Sequence, residues 1–164
     1  MFDSDNFQVR EKSFSDGDQH KIYEDGELIL YSKIDDSEVR EDLKLVDRDG
    51  ERKLTVTTNP KLDVPVSYSI IDEKKDEVIG GLRREWGIVK HQWKLIGQDN
   101  QVIGTIKEDL LPLSLTRRYL TTLLPFKYDV VSPDGKLADI DGKFMFRDFY
   151  DIKICGDVDP RLIV

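Results

Sequence analysis

Five Asp-Gly pairs, at Asp16-Gly17, Asp25-Gly26, Asp49-Gly50, Asp134-Gly135 and Asp141-Gly142, punctuate a chain whose apolar residues come in short alternating or β-branched runs. Glycine accepts positive φ without steric cost and aspartate tolerates it, so such pairs suit tight hairpin turns. The clearest case is His20-Lys21-Ile22-Tyr23-Glu24, then Asp25-Gly26, then Glu27-Leu28-Ile29-Leu30-Tyr31. It reads as strand, two-residue turn, strand.

The same pattern predicts further strands over Phe7 to Lys12, Leu43 to Asp47, Lys53 to Thr57, Val66 to Asp72, Val78 to Arg84, Gln92 to Gly97 and Val102 to Glu108. Phe126 to Val131, Lys136 to Ile140, Lys143 to Arg147 and Tyr150 to Cys155 complete the series. About a dozen strands with turns every ~8–12 residues indicate an antiparallel sandwich or barrel and not βαβ units. One internal repeat supports closure. Tyr68-Ser69-Ile70-Ile71-Asp72 followed by Val78-Ile79-Gly80-Gly81-Leu82 answers Trp93-Lys94-Leu95-Ile96-Gly97 followed by Val102-Ile103-Gly104-Thr105-Ile106. Two copies of a hairpin do not make a solenoid, so addition of hairpins into a barrel is the expectation.

One stretch breaks the strand pattern. From Asp109 to Leu124, Leu111, Leu115, Tyr119, Leu120, Leu123 and Leu124 recur at helical spacing, with Pro112 near the start and Pro125 closing the segment. This predicts an amphipathic helix. At the end of the chain, Asp159 offers a helix N-cap and Pro160 a first helical residue before the apolar run Leu162-Ile163-Val164.

The chain of 164 residues has the size of one domain, spanning 1–164, with 38% apolar residues against 35% charged ones. That apolar share is too large and too regularly spaced for a disordered acidic tail. No uncharged run exceeds about eight residues, against the ~20 that a membrane-spanning helix requires. Nucleic acid is not expected as a partner, because a net charge of −8 repels the phosphate backbone. The first residues lack the basic and apolar stretches of a signal peptide, and Cys155 is the only cysteine. A reducing, cytoplasmic location follows as the expectation.

Motifs that would carry chemistry are missing. There is no phosphate-binding glycine loop, no dinucleotide fingerprint, no His-Glu-x-x-His and no Cys-x-x-Cys. His20 and His91 have no metal-ligand partner at a recognised spacing. Asp47-Arg48-Asp49-Gly50 starts like a calcium loop, yet Arg52 stands where such a loop needs glycine and Thr58 where it needs glutamate. Cys155, in an apolar strand, reads as a buried, inert thiol, and Trp86 and Trp93 as core or interface aromatics. No catalytic residue, metal site or cofactor is assigned, and the chain is not expected to be an enzyme.

Taken together, five stretches resemble the LURP-one-related proteins. They are Phe7-x-Val9-x-Glu11-Lys12-x-Phe14-Ser15; the hairpin from Tyr23 to Leu30; Trp93-Lys94-Leu95-Ile96 followed by Val102 to Asp109; Leu124-Pro125-x-x-Tyr128; and Asp157-x-Asp159-Pro160-Arg161-Leu162. That group is similar to phospholipid scramblases and to the Tubby C-terminal domain. The resemblance implies a Tubby-like closed antiparallel barrel of about twelve strands around a buried, apolar C-terminal helix. In the family that helix continues for several more apolar turns, whereas here it is cut short at Val164. An unfilled barrel would expose apolar surface at a cost of several kcal/mol. The expectation is therefore either a shortened chain or another occupant, namely the Leu110 to Leu124 helix or a partner's segment.

Two functions follow for such a domain. One is a non-enzymatic module at the membrane periphery that binds anionic lipid or another phosphorylated ligand, as the likeness to Tubby domains and scramblases implies. Its candidate contacts are Arg83, Arg84, Lys90, Arg117 and Arg118, the densest positive stretches of an acidic chain. For each of them, the ordinary alternative is a solvated surface cation. The other function is a protein-interaction or scaffold domain, with lipid irrelevant, that recruits a partner through an open sheet edge or an apolar patch.

Overall fold

The computed structural model describes residues 1–12, 19–33, 42–58, 68–86, 91–108, 127–145 and 147–164. Among them are twelve strands: β1 (Asn6–Lys12), β2 (Gln19–Glu24), β3 (Glu27–Lys33), β4 (Leu43–Val46), β5 (Arg52–Thr57), β6 (Tyr68–Asp72), β7 (Glu77–Trp86), β8 (His91–Gly97), β9 (Val102–Glu108), β10 (Lys127–Ser132), β11 (Gly135–Met145) and β12 (Arg147–Ile154). Each pairs antiparallel with its neighbours in sequence, and β1 pairs with β12, so the sheet closes into a barrel without a free edge. Closure satisfies the ladder hydrogen bonds that an edge strand would leave open.

Turn chemistry accounts for one end of this barrel. Asp25 and Gly26 adopt φ of 48° and 84°, both left-handed, as a two-residue turn between right-twisted strands demands. Between β4 and β5, Asp47 accepts hydrogen bonds through its Oδ1 from the backbone N–H groups of Asp49 and Glu51, at 3.0 and 2.9 Å. The repeated hairpins β6–β7 and β8–β9 also share an irregularity, with a register shift between Ile70 and Ile71 in one and between Leu95 and Ile96 in the other.

Alternation along the strands sends one set of side chains inward. Leu30, Leu95, Val130 and Ala138 are fully buried and join Phe7, Ile22, Leu45, Leu54, Ile70 and Ile152 in one continuous core. A period of two residues makes this inevitable once the register is set.

Three local expectations change. Asp141-Gly142 makes no turn: it lies inside β11, with Asp141 opposite Lys127 and Gly142 opposite Tyr150. Strands on both sides supply partners, and pairing overrides the local turn preference. The stretches Lys136 to Ile140 and Lys143 to Arg147 are therefore not two strands, since β11 runs through to Met145 and Arg147 opens β12. Nor is Cys155 a buried strand residue: it lies just past β12 and is exposed.

The end of the chain is the third change. Pro160–Leu162 form a single 3-10 turn, and no α-helix occurs among the described residues. Asp159 caps the turn as its sequence predicts, accepting a hydrogen bond from the Arg161 backbone N–H at 3.0 Å. Leu162 enters the core, and Val158, Ile163 and Val164 pack against it. The Asp109 to Leu124 segment lies outside the described residues.

Candidate functional sites at the two ends of the barrel

An up-and-down barrel has two unlike ends. At one lie the tight turns 25–26, 47–51, 73–76, 98–101 and 133–134, together with residues 155–159 after β12. These residues include ten Asp and Glu against three Lys and Arg. The end is strongly electronegative, because turn formation itself selects aspartate. At the other end, the strands are joined by residues that are almost all outside the described set.

Near that second end, β7 and β8 pair Arg83 with Lys94 and Arg84 with Trp93. Adjacent residues of a strand point to opposite faces, so the two arginines do not form one patch. Arg84 shares the inward side with Leu82, Leu95 and Trp93, and is nevertheless exposed, at the mouth of the barrel. Its guanidinium lies 5.9 Å from the centre of the Trp93 ring, which in turn sits 5.8 Å from the Tyr68 ring. Attraction between a cation and an aromatic face orients the arginine there. Arg83 points outward, half-buried, and donates to Glu85 at 2.9 Å. Lys94 donates to Thr105 at 3.0 Å and stands 3.9 Å from the same glutamate. Lys90, Arg117 and Arg118 lie outside the described residues.

The acidic end holds an open cleft of about 1020 Å³ between the β8–β9 turn, the β10–β11 turn and the segment after β12. Its walls include Ile79, Val102, Ile103, Leu137 and Val158, and its rim the exposed Asp99, Asp134 and Asp157. Among the described residues, the one basic residue lining it is Lys136, whose ammonium is held 2.7 Å from both Asp129 and Asp139. Hydrogen bonds to these two carboxylates raise the Lys136 pKa well above its usual value, and the same contact with Lys136 holds Asp139 below its own. Sequence reasoning did not find this cleft. Alternation and turn signals locate its parts, but closure brings them together.

Among the described residues, no three His, Cys, Asp or Glu side chains are grouped as a metal site would require. No helix is long and apolar enough to cross a membrane among them either. His20 is half-buried, its backbone N–H donating to Ser32 Oγ at 2.8 Å. The side chains of His91 and Trp86 lie outside the described set.

Fold and sites together define the described residues as an all-β architecture, a closed barrel of twelve antiparallel strands with aromatic residues at one mouth and acidic turns at the other. Its architecture is similar to that of the X-ray structure of the protein AT5G01750 from Arabidopsis thaliana, with a TM-score of 0.55 and 13% sequence identity over 96% of this chain and 85% of that one. At that identity the likeness concerns the fold alone. No family model and no curated protein matches the sequence.

Proposed function

We propose that this barrel is a LURP-one-related, Tubby-like binding module without catalytic activity, which docks reversibly on the anionic cytoplasmic face of a membrane through its aromatic mouth. The observation that carries this is the exposed Arg84 beside Trp93 and Tyr68 at the end opposite the acidic turns. An arginine supplies a fork of donors for phosphate oxygens, while tryptophan and tyrosine are at home where apolar and wet surroundings meet. Electronegative turns at the far end would disfavour contact of that end with an anionic surface. Leu30 and Leu95 are fully buried in the core, whereas Arg84 at the mouth is exposed, which makes that end a natural working surface.

The test is co-flotation with vesicles of neutral lipid containing phosphatidylserine or a phosphoinositide, at low and at physiological salt. Salt-sensitive flotation is expected, reduced about tenfold by Arg84→Ala, since lost phosphate contacts fall directly on the association constant. Arg83→Ala, which removes an outward, glutamate-paired cation, should leave flotation unchanged. No flotation, or flotation indifferent to Arg84, would overturn the proposal and leave the protein-interaction alternative. That alternative could not use strand addition, because the closed barrel offers no sheet edge.

A further inference from the structure

The geometry points to a second docking site at the acidic end, where the cleft takes an extended, cationic peptide segment of a partner protein that carries aliphatic side chains. Its volume of about 1020 Å³ lies at or above the upper end of small-molecule pockets, and suits several consecutive side chains better than a metabolite. Its walls mix aliphatic and polar groups. Val102 is 46% exposed, one of two large hydrophobic residues left so open among the described residues, and it stands at the cleft together with Ile103 and Val158.

Charge selects the occupant. Asp99, Asp134 and Asp157 face solvent around the opening, and Lys136 does not offset them because Asp129 and Asp139 already hold its ammonium. An anionic or neutral apolar segment would lack the complementarity that draws in and orients a lysine- or arginine-bearing one. Docking through the cleft also fits a barrel that cannot accept an added strand. The site is separate from the aromatic mouth because it lies at the opposite end of the barrel, although β7 and β8 contribute residues to both.

The experiment titrates the full chain into a short fluorescein-labelled peptide of alternating lysine and leucine and follows its anisotropy. Two further peptides are used, one with glutamate in place of lysine and one with serine in place of leucine. Saturable binding of the lysine–leucine peptide is expected, weakened about tenfold by Asp99→Asn combined with Asp157→Asn and also weakened by Val102→Ser. Arg84→Ala should leave it unchanged, which separates this site from the membrane-docking mouth. Because Asp99→Asn keeps a side-chain oxygen to accept the Gln101 backbone N–H, the β8–β9 turn should survive the substitution. The proposal is overturned if the lysine–leucine peptide does not bind, if the aspartate variants bind it equally well, or if the serine peptide matches it.

Discussion

Asp72 and Arg161, 89 residues apart in sequence, form an ion pair that ties the C-terminal turn to the inward face of β6. Asp72 is only 7% exposed, and its Oδ1 also accepts the backbone N–H groups of Lys74 and Lys75 at 3.0 and 3.2 Å. Arg161 additionally holds Asp159. One carboxylate thus organises the β6–β7 turn and anchors the turn that carries Leu162 into the core. Arg161→Ala should destabilise the barrel by about 1–3 kcal/mol, between the values for surface and fully buried pairs. Urea denaturation would measure it, and an unchanged midpoint would show that the pair contributes nothing.

Acid should weaken the fold through the same turn. Burial pushes the Asp159 carboxyl up, but hydrogen bonds from the Arg161 side chain and backbone outweigh it and hold the group below its ordinary value of 3.8. A carboxyl with a lowered folded-state pKa binds fewer protons than in the unfolded chain, so its stabilisation is present above pH 3.8 and is lost as pH falls through the folded value. Asp47, lowered chiefly by its hydrogen bond with Lys53, and Asp139 act in the same direction. Urea midpoints should therefore fall on acidification below about pH 4, and Asp159→Asn should flatten part of that fall. A variant with an unaltered pH profile would exclude Asp159 as a contributor.

Close packing at the acidic mouth makes a further demand. A Cβ added at Gly80 would lie 2.5 Å from the Ile96 carbonyl oxygen and 2.8 Å from Leu162 Cδ2. The leucine can move and the strand carbonyl cannot without disturbing β8. Gly80→Ala should cost about 1–3 kcal/mol, and adding Leu162→Ala should not restore the loss. Denaturation of the single and double variants checks this, full rescue by Leu162→Ala being the contrary result.

Much of the barrel was legible beforehand because its signals are local. The Asp25-Gly26 turn and the alternation of β2 and β3 depend on φ preferences and a two-residue period within a few positions. The hairpin repeat was legible for the same reason. So was the Asp159 cap, although its helix became one 3-10 turn. The opposite orientations of Arg83 and Arg84 were also there to be read, since neighbours on a strand alternate. Charge density along the sequence groups the two arginines, whereas strand alternation separates them.

Asp141-Gly142 marks the limit of local reading. The same dipeptide that turns the chain after Glu24 runs straight through β11, because Lys127 and Tyr150 stand opposite it on either side. Likewise, nothing near Ile79 announces that it will share a cleft with Val102, Leu137 and Val158. Asp141-Gly142 apart, turn and strand identity were determined by backbone preferences acting within a few residues. Which strands meet, which mouth is aromatic and which acidic, and where Arg161 finds Asp72 were decided by register and by closure of β1 on β12, contacts between residues far apart in the chain whose geometry exists only once the barrel has formed.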